Sequence, residues 1–564
     1  MLTAEYLSTR HYKVEGGLDM KGEGARRQNT SSLLFAAVEV GIFTAIFAVA
    51  GAWPAPDVNE GYYLAKARHS FNPEWCGNDF FLNSGEAHGL FFYLLGPLAA
   101  SVTLSTAAWV GRWVGWLVLA VGFRHAVFSL LPSRMHRLFA GVVFSLAARY
   151  TTMAGEWLIG GCEAKVFAWA LVLAAWGEAV RGRWAFAWLL SGVATAFHPL
   201  VGGWMMILIG LTAISQFMRN QTRISSFKPL VLACVIGGVC LASIGLWPAS
   251  QISIGVSVEV RNQAAAVYVV DRLSHHLLPR SFQEVLVARH LLAIMLCGCL
   301  YAALPYETKR TRGLVLVLAA VLLSFVGFVM GLFEPFAPAL VYGMLRFYWF
   351  RLADGLVPLG LCVLLTQFLL SAQLLESKAQ QTLRQTCLIA LALTFFMYDS
   401  FVQSKHWPLL TDKCSPRGDK LIDAASWEDV CQWIQKETSP SDCFLTPRGA
   451  SSFLWRAQRP EVVAWKNVPQ DPVSILEWRQ RIIDCFSYDG TIKNMARSTC
   501  SLGVSRLNRV ADAYDAHFVL APQKSFLAMT HPPKVAYKNT HYVVIKLPIE
   551  EQQVNDESSG VATN

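Results

Sequence analysis

The run GLVLVLAAVLLSFVGFVMGL, residues 313–332, contains no charged side chain. A helix rises about 1.5 Å per residue, so a run of ~20 residues matches the ~30 Å hydrocarbon core of a bilayer. A comparable run, LLFAAVEVGIFTAIFAVAGAW at 33–53, opens the apolar part of the chain. Inside hydrocarbon every backbone N–H and C=O must be satisfied within the segment, which leaves helices as the solution for runs of this kind. The whole chain is 54% hydrophobic and 15% charged, against roughly 25% charged residues in a soluble domain. It therefore reads as an α-helical multi-pass membrane protein.

Hydropathy predicts spans at 33–53, 88–107, 137–153, 164–180, 184–197, 199–217, 229–249, 286–304, 313–332, 349–371 and 386–403. Arg181/Arg183, Arg219/Arg223/Lys228, Lys309/Arg310/Arg312 and Lys378/Arg384 then fall on one side, with the N-terminus. By the positive-inside rule that side is cytoplasmic. Eleven spans are odd in number, so the chain beyond 404 is expected outside. The segment 109–131 is apolar enough to cross once, but a single crossing there would invert everything after it. It is expected to be re-entrant, interfacial or two short crossings, and the count runs to about 11–13 helices.

Four regions follow: a cytoplasmic arm without fixed structure (1–32), a transmembrane domain (33–403), an extracytoplasmic domain (404–548) and an unstructured polar tail (549–564). The first apolar run lies behind Lys21, Arg26 and Arg27 and is expected to act as a signal anchor. In the outer region, 424–437 and 472–486 read as amphipathic helices, and 443–448, 461–466, 516–522 and 542–548 as strands. Alternating helices and strands predict a small α/β domain with a mostly parallel sheet.

The net charge of +9 invites a nucleic-acid partner, yet from Lys405 onward 19 basic residues meet 18 acidic ones. The outer domain is nearly neutral, so no nucleic acid is expected. Thirteen cysteines show no CxxC pair. Five of them (Cys414, Cys431, Cys443, Cys485 and Cys500) lie in the outer region, where one or two disulfides would be compatible with an oxidising compartment.

Long outward connections (54–87 and 250–285) are where function is expected. The first carries NEGYYLAKARHSF, with Glu60 just past the first span and Lys66, Arg68 and His69 behind it. The second acidic site is AGEWLIGGCEAK, where Glu156, Glu163 and Lys165 sit at a helix–loop–helix junction. Ionisable groups at that depth are costly and are paired or functional, so a structural Glu–Lys pair is the plain alternative. His198 precedes Pro199 between two spans. Arg346, Arg351 and Asp354 stand at the outer end of another, where a guanidinium suits a phosphate.

NEGYYLAKARHSF resembles the first-loop acidic motif of the GT-C glycosyltransferases, membrane enzymes that take sugars from polyprenyl-phosphate carriers. LFAGVVFSLAARYTTMAGEWLIGGCEAK resembles the span and second outer loop that carry their further acidic residues. SWEDVCQWIQKETSPSDCFLTPR is similar to the opening of the outer domain in oligosaccharyltransferase catalytic subunits. The layout also resembles that of a bacterial group of membrane proteins, which implies the cytoplasmic membrane. The resemblance implies transfer of a sugar from a polyprenyl-phosphate donor to an acceptor at the outer face. Glu60, Glu156 and Glu163 would be catalytic: Glu60 as general base or, with Glu156 or Glu163, as a ligand of Mg or Mn. Arg346, Arg351, His198, Lys165 and Arg68 would hold phosphate. A DxD pair in the second loop and a WWDYG-type tail motif are lacking, so the acceptor stays open. The rival reading is a transporter or an assembly factor for surface polymers. No repeat of the transporter kind appears, nor any GxSxG or HExxH hydrolase signature.

Overall fold

A computed structural model describes residues 20–220, 229–370, 377–405, 407, 417–529 and 533–549. Most of the N-terminal arm, Arg223, Lys228, Cys414 and the tail from 550 lie outside the described residues. The membrane part runs α1 (Met20–Gly51), α2 (Glu60–Phe71), α3 (Gly89–Ser101), α4 (Leu104–Phe128), α5 (Arg134–Tyr150), α6 (Ala164–Val180), α7 (Trp184–Phe197), α8 (Pro199–Asn220) and α9 (Pro229–Gln251). After it come α10 (Val258–Ala266), α11 (Ser274–Leu277), α12 (Glu284–Ala303), α13 (Thr308–Leu332), α14 (Pro338–Leu345), α15 (Arg351–Leu370) and α16 (Lys378–Ser404).

Among the described residues, 8 helices are long and apolar enough to cross a membrane: the apolar part of α1 (Leu33–Gly51), α4, most of α8 (Pro199–Gln216), α9, α12, α13, α15 and α16. Side-chain contacts sort the helix ends into two groups. At one end Glu39 of α1 is held by Arg124 of α4 and Arg137 of α5, Gly182 after α6 meets Arg312 of α13, and Gln367 of α15 bonds the Leu130 carbonyl at 3.1 Å. At the other end Asp354 of α15 accepts from the Met153 N–H after α5, His290 of α12 bonds the Thr151 carbonyl at 2.6 Å, and Arg149 of α5 pairs with Asp399 of α16. The shorter helices α5, α6 and α7 run between the same two ends.

Two expectations for the second crossing are overturned. Residues 88–107 are not one span: α3 has 13 residues, about 20 Å of helix, and it stops before Val102. Thr103 then starts α4, its hydroxyl accepting from the Thr106 N–H. Residues 109–131 are neither re-entrant nor split, because α4 is one continuous 25-residue helix. The crossing is moved from the 88–107 segment to α4, so the later helices keep their predicted sense. Helix α3 instead packs its apolar face on α2, with Phe91 and Phe92 buried against Tyr63 and Leu64.

The C-terminal domain, outer only in the sense that it lies beyond one end of the bundle, contains α17 (Ala424–Glu437), β1 (Phe444–Leu445), α18 (Phe453–Ala457), α19 (Pro472–Phe486), α20 (Val504–Tyr514), β2 (Phe518–Pro522), α21 (Gln523–Leu527), β3 (Val535–Lys538) and β4 (Tyr542–Lys546). Asp423 and Asp471 cap α17 and α19 by accepting the Ser426 and Ser474 N–H groups, which places both helices where periodicity put them. Their apolar faces bury Trp427 and Trp478 against the sheet. The strand order is β1-β2-β4-β3, with only β1–β2 parallel. The mostly parallel sheet is therefore a wrong expectation: β3 and β4 form a hairpin, which needs no crossover helix. Segment 461–466 makes a single bridge, Phe444 to Glu461, and no strand. Of the five cysteines that left disulfides open in this region, the four described, Cys431, Cys443, Cys485 and Cys500, are buried free thiols.

The first loop ties this domain to the bundle. Arg417 makes two hydrogen bonds to Asp57, at 3.1 and 3.0 Å. Asp79 accepts from the Glu461 N–H at 3.0 Å, Asp471 from the Gly85 N–H at 2.9 Å, and Trp455 donates to Ser105 at 3.2 Å.

Candidate functional site

A cavity of about 270 Å³ lies at the bundle end beneath the outer domain. Glu156, Glu163, Lys165, His198, Arg346 and Arg351 all line it. Local folding explains how. A residue before proline is pushed out of the α region, so α7 stops at Phe197 and His198 adopts an extended conformation (φ −145°) before Pro199 starts α8. Glu163 is the N-cap of α6 but makes no capping bond, so its carboxylate is free to face the cavity near a helix N-terminus, where negative charge is favoured.

The charged groups form one connected network. Glu156 Oε2 lies 2.9 Å from Arg351 Nε and 4.0 Å from Lys165 Nζ. Lys165 Nζ lies 3.4 Å from Glu163 and over the Trp157 ring. Arg351 Nη1 is 3.3 Å from His198 Nε2 and stacks on Tyr348 at 3.8 Å. Tyr348 itself has φ +56°, a region that a bulky side chain occupies only when its surroundings enforce it. Glu163 has no arginine partner: Asn59 donates at 3.0 Å, while Trp157 is at 3.5 Å, near the outer limit of a hydrogen bond. Glu156, held by Arg351, also accepts from Trp169 at 3.3 Å.

Glu60 stands apart from that cavity. It is fully buried and bound in bidentate fashion by Arg112 of α4, at 2.6 and 2.5 Å. It also accepts the Asp57 and Cys162 N–H groups, both at 2.7 Å. Four donors on two oxygens leave no lone pair for a substrate proton or a cation. Glu60 therefore holds the second loop, one residue from Glu163, in register with the first. Arg68 of α2 also stays away: it packs over Trp75, beyond the end of that helix, and lines neither this cavity nor the larger one beside it.

The expected divalent cation does not fit these residues. Among the described residues no three His, Cys, Asp or Glu side chains gather as ligands. Glu60 is spent on Arg112, and Glu163 faces a lysine.

Several groups at the site carry no local sequence signal. The His88 ring lies tilted against that of His198, centroids 4.8 Å apart, and meets the Tyr63 hydroxyl at 3.4 Å. Burial, and then the Arg351 charge, lowers His88 to about 4, so the imidazole is neutral. His276 bonds the Ala154 carbonyl and is lowered to about 3, first by burial and then by His275. Gly155, at φ +71°, faces the His276 ring, 3.0 Å from where a Cβ would stand, and only glycine fits there. Lys466 of the outer domain closes the cavity; burial, then Arg272, lowers it to about 8. These groups reach the site through contacts across a hundred residues or more.

A family described as a domain of unknown function, DUF6798, matches residues 425–485, the segment from α17 into α19. No curated protein matches the chain.

Proposed function

We propose that the chain is a membrane glycosyltransferase of the GT-C kind, moving a sugar from a polyprenyl-phosphate carrier to an acceptor at the outer face of the membrane. One observation carries the reading: an underbonded buried carboxylate, Glu163, shares a cavity at the bundle end with Lys165 and Arg351. Glu163 accepts the proton of the acceptor hydroxyl as general base. The acceptor oxygen forms its bond to the anomeric carbon as the bond from that carbon to the phosphate oxygen breaks. The electron pair leaves on the polyprenyl phosphate, whose charge Arg351 and Lys165 neutralise. Glu156 aims Arg351. Compared with the resemblance alone, the base role moves from Glu60 to Glu163.

The basic groups Arg124, Arg137, Arg181 and Arg183 gather at the opposite bundle end. That supports a cytoplasmic location for that end and an extracytoplasmic one for the cavity. The test is radiolabelled transfer in membranes carrying the protein, from a panel of polyprenyl-phosphate sugars. One donor should turn over, and Glu163→Gln should lose the activity while staying folded. Full activity in that variant would remove the base role.

A further inference from the structure

Beside the catalytic cavity lies a larger one of about 930 Å³, walled by both the bundle and the outer domain. The two share Gly155, Glu156, Trp157, His275, His276 and Lys466 as a common wall, so their occupants would meet at the carboxylate network. The larger cavity has two kinds of surface. Its bundle side has an apolar part, Ala50 of α1, Ala148 of α5, Met153, Leu158 and Leu286 of α12, and uncharged polar groups in Ser145, Thr152, Gln283 and Gln403. Its outer side carries Arg417, Lys420, Arg448, Lys466 and Arg497, with Arg149 at the boundary. One carboxylate, Glu156, lines the cavity opposite those six cations.

That charge is only partly neutralised locally. Arg417 and Arg149 have acidic partners in Asp57 and Asp399. Arg448 donates to the Ala496 carbonyl, and burial, then the Arg497 charge, lowers it from the usual arginine range. Among the described residues Lys420, Arg448, Lys466 and Arg497 make no ion pair. Like charges gathered without counter-ions cost free energy that a bound anion offsets. Arginine in particular matches phosphate oxygens bidentately.

We infer that this cavity is the acceptor site, and that the acceptor is a membrane lipid whose headgroup carries phosphate. The apolar side takes the lipid chain and the cationic rim takes the phosphate. The headgroup hydroxyl then points through the shared wall at Glu163. The assignment of an acceptor rests on the transfer reading above; the binding of a phospholipid-like anion does not.

The test separates the two. Decyl phosphate, decyl glucoside and inorganic phosphate are titrated into the full chain in neutral detergent, reading the fluorescence of Trp53, Trp157 and Trp465, which line the cavity. Decyl phosphate should bind in a salt-dependent way. Lys420→Ala with Arg497→Ala should weaken it by about tenfold or more, the scale of one charge-assisted hydrogen bond. Glu163→Gln should leave it unchanged. Both cations are exposed side chains, so the double variant is expected to fold. Equal binding of decyl glucoside, or an unchanged affinity in the double variant, would overturn the site. Inorganic phosphate binding as tightly as decyl phosphate would overturn the lipid as its source. In the transfer assay, the same double variant should raise the acceptor concentration needed for half-maximal rate and leave the saturated rate intact.

Discussion

Glu39 and Glu163 are both buried acids at membrane depth, at opposite ends of the same bundle, and they are treated differently. Glu39 is gripped by Arg124 at 2.8 Å and by Arg137, and Arg137 spends its remaining donors on the Leu131 and Pro132 carbonyls. Glu178, at the same end, meets His125, Arg181 and Arg183. Glu163 has one amide, one distant indole and a lysine at 3.4 Å, and it faces a cavity. Burial of charge alone therefore marks no function here. A saturated acid fastens helices together, whereas an underbonded one retains lone pairs for chemistry. Glu60, saturated by Arg112 although it lies at the cavity end, belongs with Glu39.

The largest effect expected from that contrast is on rate. Glu163→Gln should cost ~10²–10⁴-fold in transfer, the usual contribution of a general base, with thermal unfolding unchanged. Next comes Glu60→Gln. It strands a fully buried guanidinium, and breaking such a pair costs about 3–5 kcal/mol; folded yield in detergent should collapse, while the surviving folded molecules retain transfer. Glu39→Gln should be milder, about 1–3 kcal/mol, because Arg124 is partly exposed. Its transfer per folded molecule should equal wild type. Catalytic loss in the Glu60 or Glu39 variant without loss of stability would break the distinction.

The smallest effect concerns pH. Burial raises Asp79 to about 6; burial, then Asp79's own charge, raises Glu461 to about 8. Lys66 and His69 oppose the Asp79 shift, and Asp419 adds to that of Glu461. Folded carboxyls with raised pKa bind more protons than unfolded ones. Their stabilisation is thus fullest below about 4, the unfolded carboxyl value, and is lost as pH rises through about 6 and then about 8. The outer domain should melt at lower temperature at pH 8 than at pH 5, and Glu461→Gln should flatten that slope.

Hydropathy and charge made most of the helix ladder legible. They misjudged the second crossing for a physical reason. LFFYLLGPLAA in α3 is more apolar than α4, which carries Arg112 inside the bundle to meet Glu60. A span that carries one half of a buried ion pair looks less like a span. In the outer domain helices α17 and α19 were readable from their amphipathic periodicity, but strand direction was not, since period-2 alternation is the same in parallel and antiparallel sheets. At the site Glu156, Glu163, Lys165, His198, Arg346 and Arg351 could be singled out because charge is costly in a membrane. Which acid stays free depends on Arg112, 52 residues from Glu60. The cation that closes the site from the other domain is Lys466, and neither partnership is written in local sequence.

The central claim is that transfer chemistry resides on Glu163 in the cavity at the bundle end. Its most direct test is labelled-sugar turnover from polyprenyl-phosphate donors in membranes carrying wild type, Glu163→Gln or Glu39→Gln at matched folded amounts. The account predicts turnover of one donor by wild type and Glu39→Gln and a loss of ~10²-fold or more in Glu163→Gln. Equal turnover in all three, or no turnover of any donor by wild type, would contradict it.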